Sequence, residues 1–552
     1  MTTEKGAASG RANDQPGQSR RSVTRSPGSV DSFTGAHWKN RGKWGRPMRA
    51  DGGPIDECRR SPIDAVPRNR FIVHHSTQGA LMSIRSKGHY GLRATCLSFP
   101  ETLSQSVANI SPTLTPAVIV PLVYASAGPA TWLAYLFATI GLVLVGSNIN
   151  QFAKRSATPG SLYSYVTRGL GANAGFVTGW CLILAYLLTA AAVLAGSVNY
   201  AGLLLDAIHW HTPPLALFAI GSALACWTAY TDVNLSTRVM LILEVASVAL
   251  ILALGVLIMQ ERGTVFDAQQ FDLSHLDMGG LKAGLILAIF SYVGFESATT
   301  LGEEARNPLQ TIPLSVILSA IISGLFFMIT AYIAILGFKG LPVSIGDSTA
   351  PFNDLSVSIG HPAFGVLISI GAVVSLFACT LASINAGARI IFTMGRHGIF
   401  PEQLAKTHLT NDTPHRAVIL AALIVFALPA ILLHRGVAVL DIFSNLSTVA
   451  TYGFLLVYVL VSLAAPIYLL RIGKLTLSSV CVAALAIACM VPPMIATVWP
   501  SPAPPLDAFP LYFLAYLVAG IGWYAWARSR AASTVLAGIA HDQSIDYRYE
   551  LK

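Results

Sequence analysis

Apolar runs repeat along almost the whole of this chain. Each is about as long as a helix needs to cross the hydrocarbon core of a bilayer, roughly 20 residues. Twelve can be counted, near 103–125, 129–150, 172–200, 213–231, 236–259, 280–301, 312–337, 362–390, 417–434, 442–466, 476–499 and 510–527. The runs repeat end to end, so they read as one large membrane domain rather than several soluble ones. Composition agrees: 53% of residues are hydrophobic and 11% charged, where soluble domains carry about 25% charged residues. Most of such a surface does not meet water. The chain is predicted to be an all-α membrane protein, with spans three and eight long enough to tilt.

Charge divides the chain. The first 100 residues hold 17 Lys and Arg against 7 Asp and Glu, while the remainder holds 19 against 20. The basic balance belongs to the N-terminal tail. Residues 1–98 are expected to be a disordered cytoplasmic tail, given their Arg, Ser, Gly and Pro content, with contact to anionic headgroups as the alternative. "RRSVTR" near Arg20 precedes no apolar core, so it is not read as a secretory signal. Met82 is an alternative start. The transporter-like body is placed at 99–530 and a short C-terminal tail at 531–552.

With twelve spans, both ends fall on one side. The loops of that side carry Lys154, Arg155, Arg168, Arg238, Arg306, Arg389, Arg396, Lys406, Arg416, Arg471, Lys474, Arg528 and Arg530. The other side carries Arg262, Lys282, Lys339 and Arg435. Thirteen against four makes the first side cytoplasmic, because basic loops stay inside. Both termini are therefore expected in the cytoplasm.

Several functions lose support. There is no Walker A sequence, so ATP-driven transport is not indicated. "GLGANAG" at Gly169 follows no strand and is not read as a nucleotide site. No nucleophile–base pair suggests an enzyme, no HExxH or CxxC suggests a metal or cofactor, and no nucleic-acid partner is expected. His209 and His211 flank a Trp in a loop and are not taken as a metal site. Cys181, Cys226, Cys379, Cys481 and Cys489 read as small packing residues.

Two spans carry breaks. A helix in lipid satisfies its own backbone, and interrupting it is tolerated only where the freed groups line a cavity or bind something. Span one contains "NISPTLTPAVIVP", in which Pro112 and Pro116 remove helix hydrogen bonds in mid-span. Span six contains "FSYVGFES", in which Gly294 can relax the backbone. Spans one and six are five apart, the pattern of two five-helix repeats whose first helices are interrupted. A half-helix starting after Thr113–Thr115 would present N–H groups to an anion. Carbonyls around Asn109–Ser111 and Ser291–Gly294 would suit an ammonium, so together the breaks fit a zwitterion.

Three stretches carry a family resemblance. "GFESATTLGEEARNP…IP" (Gly294–Pro313), "GRHGIFPEQLAKTHLTNDTPHRAVIL" (Gly395–Leu420) and "PGSLYSYVTRGLGANAGFVTGW" (Pro159–Trp180) resemble the amino acid–polyamine–organocation permeases, bacterial amino acid permease type, over about 100–530. The resemblance implies a five-plus-five inverted repeat with broken helices one and six and two extra helices. It implies transport of an amino acid or amine, usually coupled to protons. It puts Phe290 at the aromatic closing over substrate and Ser291, Tyr292 and Gly294 at the sixth-span site. Ser111, Pro112, Thr113 and Leu114 fall in the first-span loop. Many relatives have Gly-x-Gly in that loop; here Pro112-Thr113-Leu114 stands instead. A proline offers no N–H to a carboxylate, which keeps amine substrates open.

Two acids lie within the apolar spans, Glu244 and Glu296. An acid in hydrocarbon is costly unless it is paired or faces a cavity, so it marks function by default. Relatives carry an ionisable residue near the cation site in this part of span five, so Glu244 is assigned proton coupling. Glu296 follows the break and is a second coupling candidate, a partner for an amine, or a brace for the loop. Glu303, Glu304 and Arg306 are expected in a surface gate or folding contact at the cytoplasmic end, with Arg389 and Arg396 as anchors there. Thr380, Ser383 and Asn385 in span eight are the cation-site candidates that the resemblance implies.

The expected function is import of an amino acid across the cytoplasmic membrane, coupled to protons in preference to sodium, by alternating access. A polyamine or organic-amine permease or an exchanger is the alternative; a channel or a non-transporting sensor is the rival from another class. No cofactor is expected, and the sequence assigns no oligomeric state.

Overall fold

The computed structural model describes residues 91–550 apart from 232, 275, 349, 497 and 500–505, and leaves the side chains of 233–240, 243, 506 and 531–550 undescribed. The tail expected over residues 1–98 and the alternative start at Met82 fall outside the described residues, except for the last eight positions before Phe99. Two of those eight, Leu92 and Leu97, are fully buried. Leu97 pairs in parallel with Ala305, with its N–H on the Glu304 carbonyl at 2.9 Å.

Among the described residues the elements are helical throughout, apart from that isolated bridge. They are α1 Phe99–Ile110, α2 Val120–Ala127, α3 Thr131–Ala153, α4 Ser161–Leu170, α5 Ala172–Ala207, α6 Pro214–Thr231, α7 Val233–Arg262 and α8 Met278–Phe290. There follow α9 Pro308–Phe338, α10 Pro351–Ser358, α11 Pro362–Arg396, α12 His415–His434, α13 Val439–Arg471, α14 Leu477–Ala496 and α15 Phe509–Glu550. Ten helical runs among the described residues are long and apolar enough to cross a membrane. One of these, Phe99–Ala153, contains the first two expected spans, and Met278–Phe290 is a shorter apolar helix. The two connecting helices α4 and α10 were not anticipated, because neither is long or apolar enough to stand out by hydropathy. The last helix runs on to Glu550, through residues expected to form a tail.

Local signals set the helix starts. Glu101 reaches back to Ser98, taking its N–H at 2.8 Å and its hydroxyl at 2.9 Å, so the first turn of α1 is closed by its own sequence. Asp277 does the same for α8, accepting from the N–H groups of Gly279 and Gly280 at 2.8 and 2.9 Å. Proline opens α9, α10 and α11, where its missing N–H costs nothing.

The interior is organised around α5, which packs mainly against α11 and α13. Small residues permit that approach: a Cβ on Gly453 would meet the Cys181 carbonyl at 3.0 Å. Side chains such as Ile220, Trp227, Leu423, Leu511 and Val518 face outward and stay largely exposed. In water such a surface would drive aggregation; in a bilayer it is the lipid-facing coat. The chain is a multi-pass membrane protein.

One expectation needs correction. Arg389, a loop residue in the charge count, lies inside α11 and is only 1% exposed. It meets Glu304 as a fork, Nε to Oε2 at 3.0 Å and Nη2 to Oε1 at 2.6 Å, while Nη1 donates to the Asn385 carbonyl at 3.0 Å. Glu304 is likewise buried, so this is a folding contact and not a surface gate. A guanidinium can be held in the interior because both its charge and its N–H fork are matched.

Candidate functional site

The line of span one fails where its prolines stand. α1 ends at Ile110, and Ser111 takes a left-handed conformation with φ 50°. Its N–H returns to the Val107 and Ala108 carbonyls, which closes the helix. The chain then turns through Pro112–Leu114 and resumes as a wide π-turn, Thr115–Ile119, before α2. Pro116 cannot donate, and the wider register lets the Val120 N–H reach back to the Thr115 carbonyl.

Span six breaks differently. α8 ends at Phe290, and the chain tightens into three-residue turns that lead to a 3₁₀ segment, Ser297–Leu301. Gly294 has φ +93°, a conformation closed to most side chains. Two of the carbonyls expected to be free over Ser291–Gly294 are engaged. The Tyr292 and Gly294 carbonyls accept the N–H groups of Phe295 and Ser297, at 3.0 and 2.9 Å.

The two interruptions touch. A Cβ on Gly294 would stand 2.0 Å from Asn109 Nδ2, so the glycine is the space that admits Asn109. Beyond the break, Ser297 Oγ donates to the Gln105 carbonyl at 3.1 Å, and the Ala298 N–H donates to Ser106 Oγ at 3.1 Å. α11 closes the third side. Cys379 Sγ donates to the Asn109 carbonyl at 3.0 Å, Ser383 Oγ donates to Asn109 Oδ1 at 2.5 Å, and Gln105 Nε2 donates to the Ala382 carbonyl at 3.0 Å. Cys379, read from the sequence as packing, is thus a polar contact of the first break.

The two membrane acids differ in their surroundings. Both Glu296 oxygens are engaged, by the Tyr186 hydroxyl of α5 at 2.8 Å and the Tyr458 hydroxyl of α13 at 2.9 Å. Glu244, 1% exposed, uses one oxygen: Ser375 Oγ donates to Oε1 at 2.7 Å. Ser375 Oγ also lies 2.9 Å from Ser111 Oγ, so a chain of hydroxyls joins Glu244 on α7 to the loop of the first break. Glu244 Oε2, Asn109 Nδ2, Thr113 Oγ1 and Thr115 Oγ1 are buried without a hydrogen-bond partner among the described residues. Buried polar atoms are rarely left so. Three of these four belong to the broken stretch of span one and its border with α1.

The other expected residues are distributed as follows. Leu114, Pro112, Ser291 and Phe290 are buried, and Phe290 meets Phe443 of α13 edge-on at 6.2 Å. Tyr292 turns toward α3 and α9: its hydroxyl lies 2.7 Å from Thr139 Oγ1 and it packs edge-on against Phe327. Of the cation-site candidates, Ser383 bonds to Asn109 at the first break. Thr380 Oγ1 donates to the Leu376 carbonyl of its own helix at 3.0 Å and to the Ala190 carbonyl of α5 at 3.5 Å, and the Asn385 carbonyl accepts from Arg389. His211 pairs with Asp206 at 2.8 Å on the surface.

Sequence reasoning missed Tyr186, Tyr458, Ser375 and Gln105. Tyr186, Tyr458 and Ser375 are scattered polar residues in apolar helices, a weak signal, since such residues commonly serve helix packing, and Gln105 is one of a run of polar residues in α1. The assembly of helices makes them partners.

Interrupted helices with buried polar groups at the breaks, inside a lipid-facing shell, define a class: membrane transporters that hold a small solute where two broken helices meet. Residues 103–529 match the profile of the amino acid permeases. The chain belongs to the amino acid permease family of the amino acid–polyamine–organocation superfamily. It is 26% identical over 318 residues to the branched-chain amino acid permease BcaP of Bacillus subtilis, covering 53% of this chain and 65% of that protein. Over 331 residues it is 25% identical to the low-affinity putrescine importer PlaP of Escherichia coli K12, covering 58% and 73% of the two chains. The methylthioribose transporter of B. subtilis is 24% identical over 352 residues, covering 61% of this chain and 74% of its own. A manganese transporter from Eremococcus coleocola shares the fold at a TM-score of 0.53 and 12% identity, covering 80% of this chain and 94% of its own.

Proposed function

We propose that the chain is a secondary active importer of an amino acid across the cytoplasmic membrane, driven by protons through alternating access. The observation that carries this reading is the contact between the two helix breaks, with Asn109, Thr113 and Thr115 presenting unspent buried polar atoms there. On this reading Phe99–Ala153 counts as two passes and the broken sixth span as one. That yields twelve spans in a five-plus-five repeat, with both termini cytoplasmic. Removing Arg389 from the loop count leaves twelve basic residues against four, which supports this orientation.

Substrate rests against Asn109, Ser111–Thr115 and the Phe290–Gly294 stretch. Glu244 is the coupling group because one of its oxygens is free to carry a proton. Ser375 hands its state to Ser111: while Glu244 is ionised it draws the Ser375 hydroxyl, which then accepts from Ser111. Once Glu244 is neutral that pull weakens, and the loop of the first break is released. Glu296, with both oxygens engaged by tyrosines, braces α5 and α13 against the segment after the second break. Rocking must break those bonds to open that side.

An amine permease is the second reading. Pro112 places no N–H where a substrate carboxylate would be held, and one relative, PlaP, is a putrescine importer.

The test is uptake into proteoliposomes of an amino acid and polyamine panel, with pH and sodium gradients imposed separately. Glu244→Gln is expected to abolish accumulation driven by a pH gradient while leaving exchange largely intact, and Ser375→Ala to weaken the same coupling. Unchanged pH-driven accumulation in Glu244→Gln removes Glu244 from the mechanism, and sodium dependence without pH dependence overturns the coupling.

A further inference from the structure

A cavity of about 350 Å³ lies between α5, α11, α12 and α15. Trp180, Leu184 and Leu188 line it from α5, and Leu420, Ile424 and Leu428 from α12. Each set spans eight residues, about 12 Å at the rise of a helix, so the space is elongated along the helices. It borders the outer coat, because Ile419 and Leu423 on the same stretch of α12 are exposed.

Nothing in it would recognise an amine or a carboxylate. Its two polar side chains are spent on each other's backbone: Trp180 Nε1 donates to the Tyr516 carbonyl at 3.0 Å, and the Tyr516 hydroxyl donates to the Trp180 carbonyl at 2.9 Å. What remains is apolar wall, suited to a hydrocarbon chain.

The end of the groove is charged. Arg416 stands four residues before Leu420, on the stripe that continues through Ile424 and Leu428, so it caps the apolar lining. Lys406 follows the lining residue Leu404 by two positions. Both are exposed, and neither has an ion-pair partner among the described residues. Arg396 at the end of α11, set over Phe392, and Arg528 on α15, bonded to Asn173 at the start of α5, add positive charge. The loop between α11 and α12 carries two acids, Glu402, which is exposed, and Asp412, which is buried.

We propose that this groove seats an acyl chain of an anionic glycerophospholipid, with the phosphate held by Arg416 and Lys406. Hydrocarbon fills the apolar wall while unpaired cations meet the headgroup, as basic pockets between membrane helices do. The lipid then ties the loop after α11 to α5 and α12.

The test places the full chain in phosphatidylcholine bilayers and titrates brominated phosphatidylglycerol or brominated phosphatidylcholine. Quenching of Trp180 is read as the difference from Trp180→Phe. Brominated phosphatidylglycerol is expected to quench at a mole fraction roughly tenfold or more below that of the neutral lipid. Arg416→Ala with Lys406→Ala is expected to erase the preference, and Arg416→Lys to keep it. Ile424→Trp, which fills the groove, is expected to reduce quenching by both lipids. Equal quenching by the two lipids, or a preference that survives loss of both cations, overturns the proposal. Circular dichroism confirms that each variant is folded. No readout depends on transport, so failure here is separate from failure of the transport reading.

Discussion

Gly294→Ala tests whether the contact between the breaks is as tight as the structure places it. The added Cβ would meet Asn109 Nδ2 at 2.0 Å, Cγ at 2.5 Å and Cβ at 2.9 Å. A χ1 rotation of Asn109 could relieve the first two, but the last requires the backbone to move. Overpacking of this kind costs about 1–3 kcal/mol. The backbone adds a second charge: at φ +93° an alanine is disfavoured by about 1–2 kcal/mol. Together the substitution should destabilise by roughly 2–5 kcal/mol. Thermal unfolding of the detergent-purified protein, with proteoliposome uptake in parallel, measures the effect. Removing the obstacle separates the two parts: Asn109→Gly in the Gly294→Ala background should recover the steric share and leave the conformational one. In a double-mutant cycle the coupling should be about 1–3 kcal/mol. If Gly294→Ala unfolds and transports like the parent, or the coupling is zero, the two breaks do not interlock as described.

Glu304→Gln leaves Arg389 buried without its counter-charge and should destabilise by about 3–5 kcal/mol, whereas replacing both with Leu and Met should cost much less; thermal unfolding of the two variants checks the order. At the opposite set of loops, Lys339 Nζ lies 3.0 Å from Asp267 Oδ1. Burial pushes the Asp267 carboxyl up, but Lys339, Gln270 and the Gln269 N–H outweigh it and hold the group below its ordinary value. Because the folded value is depressed, this tie stabilises at pH above the usual carboxylate range, about 3.9. The stabilisation is lost as pH falls through the folded value. Protection against hydrogen exchange at residues 267–271, taken relative to the intrinsic rate at each pH, should fall on acidification in the parent, and Asp267→Asn should flatten that response.

Much of this architecture is legible without coordinates. Apolar runs of spanning length can do little else than cross lipid, since only helices and closed barrels satisfy their backbone there. Pro112, Pro116 and Gly294 mark their breaks because proline lacks a donor and glycine lacks a Cβ; these are local, covalent facts. Distance in the chain conceals the rest. Arg389 looked like a loop cation because its counter-charge, Glu304, stands 85 residues away. Tyr186 and Tyr458 acquire meaning only when α5 and α13 bring both hydroxyls to Glu296. Ser375 matters only because α11 sets it between Glu244 and Ser111. Tyr292, adjacent to the break in sequence, leaves it in space because a three-residue turn aims its side chain at α3. Periodicity and donor chemistry are properties of neighbours along the chain, and the sequence by itself determines them. Which polar groups face one another across helices depends on packing, and only the tertiary structure decides that.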